Sequence, residues 1–569
     1  MVDVTARASL APPALEIPAP RAGNASPRRR LALQVLALFG IYVALVLVCD
    51  PRGTLGSDTG AKVATLRVMQ EHSTVVPTVG YWAKAQDPQG LVHPLLYSNL
   101  INGRFVNITT LPMLLAAYPL WALGGYRLAL LIPILGAIGC ALAVRGLARR
   151  LGARNPDLAF WVVGLASPVA VYALDLWEHT AGLALMLFGV AKMLDAGADE
   201  GRTRDALFAG LLFGGAASMR TEAFVYGFVT GAVVFGVMLW TTHNWRAVLR
   251  RGGAAVAGFV TMVVANTVLE QLVLGSSLRA GRASGAAGAS GADVGLRLSE
   301  ALTTSVGPNL GLTSMEVLSA CCVTAFVVAV SLGIKRNWSR RRMFDTVLIL
   351  GFPIALRVVA KPAFVPGFLL AFPMAALGIA MIRFFPRGQV VAAIAVGRLP
   401  LVWATEYVGG AGPQWGGRYV LVSSVLLGVV ACVVAFDLAP VVAKGTLVLC
   451  VVITAVGVTY LAQRSRSIDA AGRRIAALQD DVVISRDGFL LRDFGAYYTD
   501  KRPWLTAWND ALLRDALRVA DARHAHTLAL ITLDPDAARA ALPGWHRNGT
   551  TSSRVTFNRM YVTQYVRAP

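Results

Sequence analysis

Residues 28–60 read RRRLALQVLALFGIYVALVLVCDPRGTLGSDTG, and the order of their parts decides the fold. Three arginines precede an uncharged apolar run from Leu31 to Cys49, long enough to cross a bilayer as a helix. The positive-inside rule places Arg28, Arg29 and Arg30 in the cytoplasm, so this first span runs outward. Residues 50–125 then form a long outer loop, and loops of that length usually carry function. Near its start stands Asp58, in Ser57-Asp58-Thr59-Gly60. A carboxylate beside a bilayer is costly to keep, so it is a candidate functional group. The stretch 58–71 reads as a helix with Ser57 or Asp58 as its N-cap.

The same kind of apolar run recurs through the chain. Of its 569 residues, 56% are hydrophobic, and the mean hydropathy is +0.58. In lipid such runs must be helices, because the backbone has no water to bond. The expectation is an all-α polytopic membrane protein of about 13 transmembrane helices, with a small α/β extracytoplasmic domain at its C-terminus. The spans are expected near 31–49, 126–147, 158–174, 180–195, 205–219, 223–241, 253–274, 314–334, 344–360, 367–383, 389–405, 418–436 and 446–463. Residues 111–123 are apolar but short and contain Pro112 and Pro119, so they read as an interfacial or re-entrant helix. If they crossed, Arg145, Arg149, Arg150 and Arg154 would lie outside, against the positive-inside rule.

Three segments result. Residues 1–30 are a Pro-, Ala- and Arg-rich disordered cytoplasmic tail with no cleavable signal. Residues 31–463 are the membrane domain, and 464–569 the outer α/β domain. In the last, DDVVISRDGFLL reads as a strand and turn, WLTAWNDALLRDALRVADA as helical, and HTLALITLD and RVTFNRMYVTQYV as strands. It has no Gly-rich phosphate loop. The Gly/Ala/Ser-rich stretch Gly281–Gly291 lies in a second outer loop, 275–312, as a lid or a linker.

A net charge of +21 has two readings. Cytoplasmic anchoring accounts for most of it, and binding of anionic lipids or lipid phosphates is the other. Nucleic-acid binding is excluded, because the basic residues sit in short loops between spans. The six cysteines lie in or beside apolar spans without CxxC spacing, so neither a disulfide framework nor a zinc site is expected.

With this threading, the polar residues at the outer ends of the spans form one set. They are Asp58; His93; Asp175, Glu178 and His179; Arg220 and Glu222; Lys361; and Arg418 and Tyr419. Each alone has an ordinary explanation, since headgroups and water meet polar residues there. Arg220 and Glu222 could pair with each other, His179 could be a satisfied interfacial histidine, and Tyr419 an aromatic anchor. Together they offer carboxylates and cations at one depth. An acceptor hydroxyl needs a base as it attacks an anomeric carbon, and Asp58 is the candidate. A lipid-phosphate sugar donor needs cations, and Arg418, Arg220 and Lys361 are candidates. Such a donor carries its own activation, which fits the lack of a nucleotide fold.

Five stretches follow one another in a telling order: GSDTGAKVATLRVM, TTLPMLLAAYPLWALGG, LASPVAVYALDLWEHTAGLAL, GLLFGGAASMRTEAFVYG and PQWGGRYVL. At these residues the chain resembles the GT-C superfamily of polytopic membrane glycosyltransferases, which includes protein O-mannosyltransferases and aminoarabinose transferases. The resemblance covers roughly residues 31–240 and 400–470, and rests on the order of the motifs. It implies Asp58 as catalytic base, and Asp175 and Glu178 as further acidic site residues. Arg220 and Arg418 become donor-phosphate ligands. Many members carry paired acids in the first loop, whereas here Thr59 follows Asp58, which points away from a metal-dependent mechanism. The implied partners are a polyprenyl-phosphate sugar donor, a cell-envelope acceptor and membrane lipids, in a bacterial cytoplasmic membrane, with no cofactor. A transporter or lipid flippase is the alternative. It would place charges at the bilayer midplane and usually show internal repeats, and no repeat is found.

Overall fold

The computed structural model describes residues 27–52, 56–107, 110–278, 294–307, 314–360, 364–405 and 414–568. Among the described residues, nine helices are long and apolar enough to cross a membrane. They mark a multi-pass helical membrane protein. The other four expected spans lie on the 17-residue helix Thr203–Met219, on Arg340–Ala360, and on two broken helical segments. One of these splits into Pro156–Leu165 and Pro168–Tyr172, the other into Phe368–Ala371 and Pro373–Met381. Each break falls immediately before a proline, which disfavours helical backbone in the residue preceding it. The count of about 13 therefore exceeds what length and hydropathy support.

The first helix, Pro27–Cys49, is at the edge of the bundle, with 17% of its apolar window buried, whereas Arg418–Leu438 is central at 78%. Leu421–Leu438 packs on Pro373–Met381, Gln389–Gly397, Pro156–Leu165 and Leu131–Arg150. At one end of the bundle basic residues meet acids: Arg145–Asp157 at 2.6 Å, Arg150–Asp195 at 2.8 Å and Lys192–Asp205 at 3.0 Å. Arg150–Asp195, with both side chains about a third exposed, contributes at most about 1 kcal/mol. Asp58 lies at the other end.

The helix Leu111–Ala129 stays at the Asp58 end. It breaks at Gly124 and Gly125, where Gly125 takes φ +62°. Its start packs with Val106 and Leu274, and Arg127 near its close pairs with Asp50 at 2.6 Å. Tyr118 and Trp121 bond the preceding helix at the Met69 carbonyl and Gln70, at 3.3 and 2.9 Å.

At the same end stands a five-stranded mixed sheet, in the order Trp504–Thr506, Val482–Ser485, Thr527–Thr532, Asn558–Arg567, Trp545–Val555. The stretch RVTFNRMYVTQYV is not one strand: it turns at Thr556 and Phe557 between two antiparallel strands. Thr556 takes φ +54° without being glycine, so the turn lacks the usual Asn-Gly or Asp-Gly signal. The helix Pro440–Ala476 runs unbroken through residue 464. The sheet shares its core with the first loop: Ala64, Val68, Val79 and Phe105 pack with Ile484, Trp504 and Leu530. Thr506 joins the two through the Val92 and Pro94 carbonyls, at 3.0 and 3.1 Å.

Candidate active site

Asp58 lies in the first turn of the helix Ser57–Glu71, where a carboxylate complements the helix dipole. Two guanidinium groups hold it. Arg418 Nη1 is 3.2 Å from Oδ2, and Arg492 Nη1 is 3.1 Å from Oδ1. Its side chain remains 36% exposed, against 9% for Glu178 and 3% for Glu222, so it is the acid that faces solvent. Burial alone would raise its pKa, but the charges of Arg492, Arg418, Lys62 and Arg220 outweigh that and hold the carboxyl below the usual range.

Arg418 is placed by the turn Trp415-Gly416-Gly417. Gly416 and Gly417 have φ of +76° and +66°, a conformation that costs glycine little. Trp415 anchors the turn at 1% exposure. The guanidinium groups of Arg418 and Arg220 both lie over the Tyr419 ring, at 4.6 and 5.1 Å. Such contacts orient cations without neutralising them.

Behind Asp58 runs a buried ion-pair chain. Lys62, one helical turn on, meets Glu178 at 2.7 Å; Glu178 meets Arg220 at 3.5 Å; and Arg220 meets Glu222 at 2.7 Å. The turn that carries Glu178 begins at Ser167, whose hydroxyl caps Pro168–Tyr172. Asp175 secures it by accepting from the Tyr126 hydroxyl and the Leu176 amide, both at 3.0 Å. Asp175 thus holds the turn while Glu178 faces the cations. His179 stacks on Tyr172 at 4.9 Å and lies 4.2 Å from Trp177, with neither ring nitrogen hydrogen-bonded among the described residues. A narrow cavity of about 10 Å³ is lined by His179, Arg220, Glu222, Tyr226, Arg418 and Tyr419. It has room for little more than one water-sized group, so a larger ligand would have to part its walls.

Two residues expected at the site are not part of this cluster. His93 lies in the core shared by the first loop and the sheet, against Tyr81, Phe105 and Tyr498. Its Nε2 bonds the Gly80 carbonyl at 2.9 Å and its Nδ1 accepts from the Leu95 amide at 3.1 Å. Burial pushes its pKa down to about 4, so it is a neutral core histidine. Lys361 falls outside the described residues.

Two groups went unexpected. Arg492, 2% exposed, reaches Asp58 from the short helix Leu490–Asp493 and also donates to Asn107 Oδ1 at 3.1 Å. The helix Ser57–Glu71 approaches backbone to backbone there: a Cβ on Gly60 would strike the Arg492 carbonyl. Asp493 lies 3.6 Å from Arg464. Burial pushes its carboxyl up to about 6, against the pull of Arg464. A sequence offers no local sign that either residue meets a loop more than 400 positions away. Among the described residues no group of three or more His, Cys, Asp or Glu side chains is placed to hold a metal ion.

No family model and no curated protein matches the sequence. Solved structures do match. ArnT from Cupriavidus metallidurans in the apo state superposes with TM-score 0.51 at 13% identity, over 95% of this chain and 98% of that one. The same protein bound to undecaprenyl phosphate gives 0.43 at 13% identity, over 94% and 97%. The archaeal oligosaccharyltransferase AglB from Archaeoglobus fulgidus, in complex with an inhibitory peptide and a dolichol-phosphate, gives 0.44 at 12%, over 89% and 70%. The match to apo ArnT spans nearly the whole of both chains, and this chain shares its fold.

Proposed function

We propose that this chain is a membrane glycosyltransferase. It moves a sugar from a polyprenyl-phosphate donor to a glycan, glycolipid or protein of the cell envelope, with Asp58 as general base. The reaction takes place at the outer face of a bacterial inner membrane, with the N-terminus cytoplasmic and the sheet outside. The observation that carries the reading is Asp58 itself, a partly exposed carboxylate paired with Arg418, which lines a cavity together with Arg220.

The resting pair explains how the base is switched on. Asp58 bound to two arginines is too weakly basic to take a proton. A donor phosphate entering the cavity competes for Arg418, because a phosphate accepts the guanidinium fork as a carboxylate does. Asp58 then loses one cation, its pKa rises, and it faces the acceptor hydroxyl. Arg220 and Tyr419 complete the phosphate cradle, and Lys361 is a further cation for it. Glu178 and Glu222 hold the cations in place, and His179 orients the donor from the cavity wall. The acids of the cluster are already paired with Lys and Arg, so the protein's own cations stabilise the leaving phosphate and no metal is assigned. The fold shared with ArnT supports a transferase of this kind.

The test is donor binding against acceptor binding. Arg418→Ala is expected to raise the donor KM at least about tenfold, the scale of a lost charged hydrogen bond, with little change for the acceptor. Equal losses for both would count against the phosphate role.

A further inference from the structure

Arg398 is the buried cation that the transfer reaction leaves unused. It stands at the junction of the helices Gln389–Gly397 and Leu399–Thr405, inside an apolar segment, at 0% exposure. Its Nε and both Nη atoms have no hydrogen-bond partner among the described residues. The other cations of the site face acids: Lys62 and Arg220 face Glu178, and Arg418 and Arg492 face Asp58. Arg398 has instead the ring of Tyr226, 4.1 Å beneath its guanidinium carbon. An arginine cannot shed its charge by deprotonation, and an unpaired buried charge is among the most costly features a fold can carry. A residue held in that condition within a membrane segment is a functional candidate.

Its position gives the function a direction. Tyr226 lines the cavity, so it is the residue that the cavity and Arg398 share. The Tyr226 amide bonds the Glu222 carbonyl, which sets Tyr226 one helical turn beyond the Arg220–Glu222 pair. Its hydroxyl donates to the Tyr419 carbonyl at 2.6 Å. Through Tyr226, Arg398 lies next to the phosphate cradle.

We propose that Arg398, uncovered by Tyr226, is a second phosphate position that takes the polyprenyl monophosphate after the sugar has left. The proposal rests on the transfer reaction above. In that reaction the acceptor oxygen bonds the anomeric carbon and its proton goes to Asp58. The bond between that carbon and the phosphate oxygen breaks, with the electron pair on the phosphate. The phosphodiester donor carries one negative charge, and the monoester product carries about 1.5 to 2 at neutral pH. Protonation of Asp58 offsets the added charge across the site as a whole, while Arg220 stays tied to Glu178 and Glu222, so the spent phosphate is drawn to a cation that faces no acid. Arg398 supplies one, draws the spent carrier away from Asp58 and clears the cradle for the next donor.

The experiment compares wild type, Arg398→Met and Arg398→Lys as full-length protein in nanodiscs. It measures donor KM, inhibition by added polyprenyl monophosphate, and melting temperature with and without that lipid. Arg398→Met should weaken product inhibition at least about tenfold, the scale of a charged hydrogen bond, and raise the donor KM by less. The lipid-free melting temperature should hold or rise, because an apolar residue replaces an unpaired charge. Arg398→Lys should restore part of the inhibition. Unchanged inhibition, an equal rise in donor KM, or a destabilised lipid-free Arg398→Met would overturn the proposal. Inorganic phosphate protecting the wild type as well as the lipid does would assign the position to a free anion and overturn the carrier role. Wild type that binds the lipid but transfers no sugar, with binding lost in Arg398→Met, keeps the phosphate position and sinks the transfer reading. Wild type that binds no polyprenyl monophosphate overturns both.

Discussion

Replacing Glu178 by Gln removes the charge that joins Lys62 to Arg220. The Lys62 and Glu178 side chains are 2% and 9% exposed and 2.7 Å apart, and Arg220 is 3.5 Å away on the other side. At the effective dielectric suited to protein sites, the gross attractions are about 6 and about 5 kcal/mol. Desolvation cancels most of that, and the net cost of removing one partner of a buried pair is about 3–5 kcal/mol. Arg220 keeps Glu222 at 2.7 Å, so the loss falls mainly on Lys62, whose ion pair is with Glu178. The expected result is a loss of about 3 kcal/mol, in the lower part of that range. The double variant Lys62→Met/Glu178→Gln leaves no stranded charge and should recover most of it. Denaturant titration of the four proteins of this cycle, in one detergent, reads the coupling directly. A Glu178→Gln loss below about 1 kcal/mol, the scale of an exposed pair, or a double variant no better than the singles, would refute the reasoning.

Two further outcomes follow from contacts between the first loop and the sheet. Gly60→Ala should push Arg492 off Asp58 and lower transfer while the sheet stays folded, since the added Cβ meets the Arg492 carbonyl; full activity in that variant would refute the close packing. Asp493 has a folded pKa of about 6, above its unfolded value of about 3.9. Stability should therefore fall as pH rises through that window and then level off, because the folded state binds the proton more tightly. Asp493→Asn should flatten this slope in pH-dependent unfolding, and an unchanged slope would contradict the burial of the carboxyl.

Much of this arrangement was legible in the chain because membrane folds write strong signals. The Arg28–Arg30 triplet, the Leu31–Cys49 run and the arginines after Leu147 place Asp58 and the basic loops at opposite ends. Short loops then force Glu178, Arg220, Glu222 and Arg418 to one depth. Non-local packing was not legible. Arg492 reaches Asp58 only because Gly60 and Gly495 let two backbones touch, and nothing near either glycine announces its partner. His93 reads as a site residue from its polar type alone, yet the rings around it come from Tyr81, Phe105 and Tyr498. The final hairpin was hidden because alternation continues across Thr556. Arg398 did leave a trace, a lone charge inside the apolar run 389–405, which a count of spans passes over.

The central claim is that Asp58 takes the acceptor proton. The most direct measurement is sugar transfer by purified Asp58→Asn, supplied with a polyprenyl-phosphate sugar and an envelope acceptor. The amide keeps the shape of the side chain but cannot serve as the base. The account predicts an intact fold, retained binding of the lipid phosphate, and transfer lowered by about 10²–10⁴-fold, the range expected for a lost general base. Transfer at the wild-type rate in that variant would contradict it.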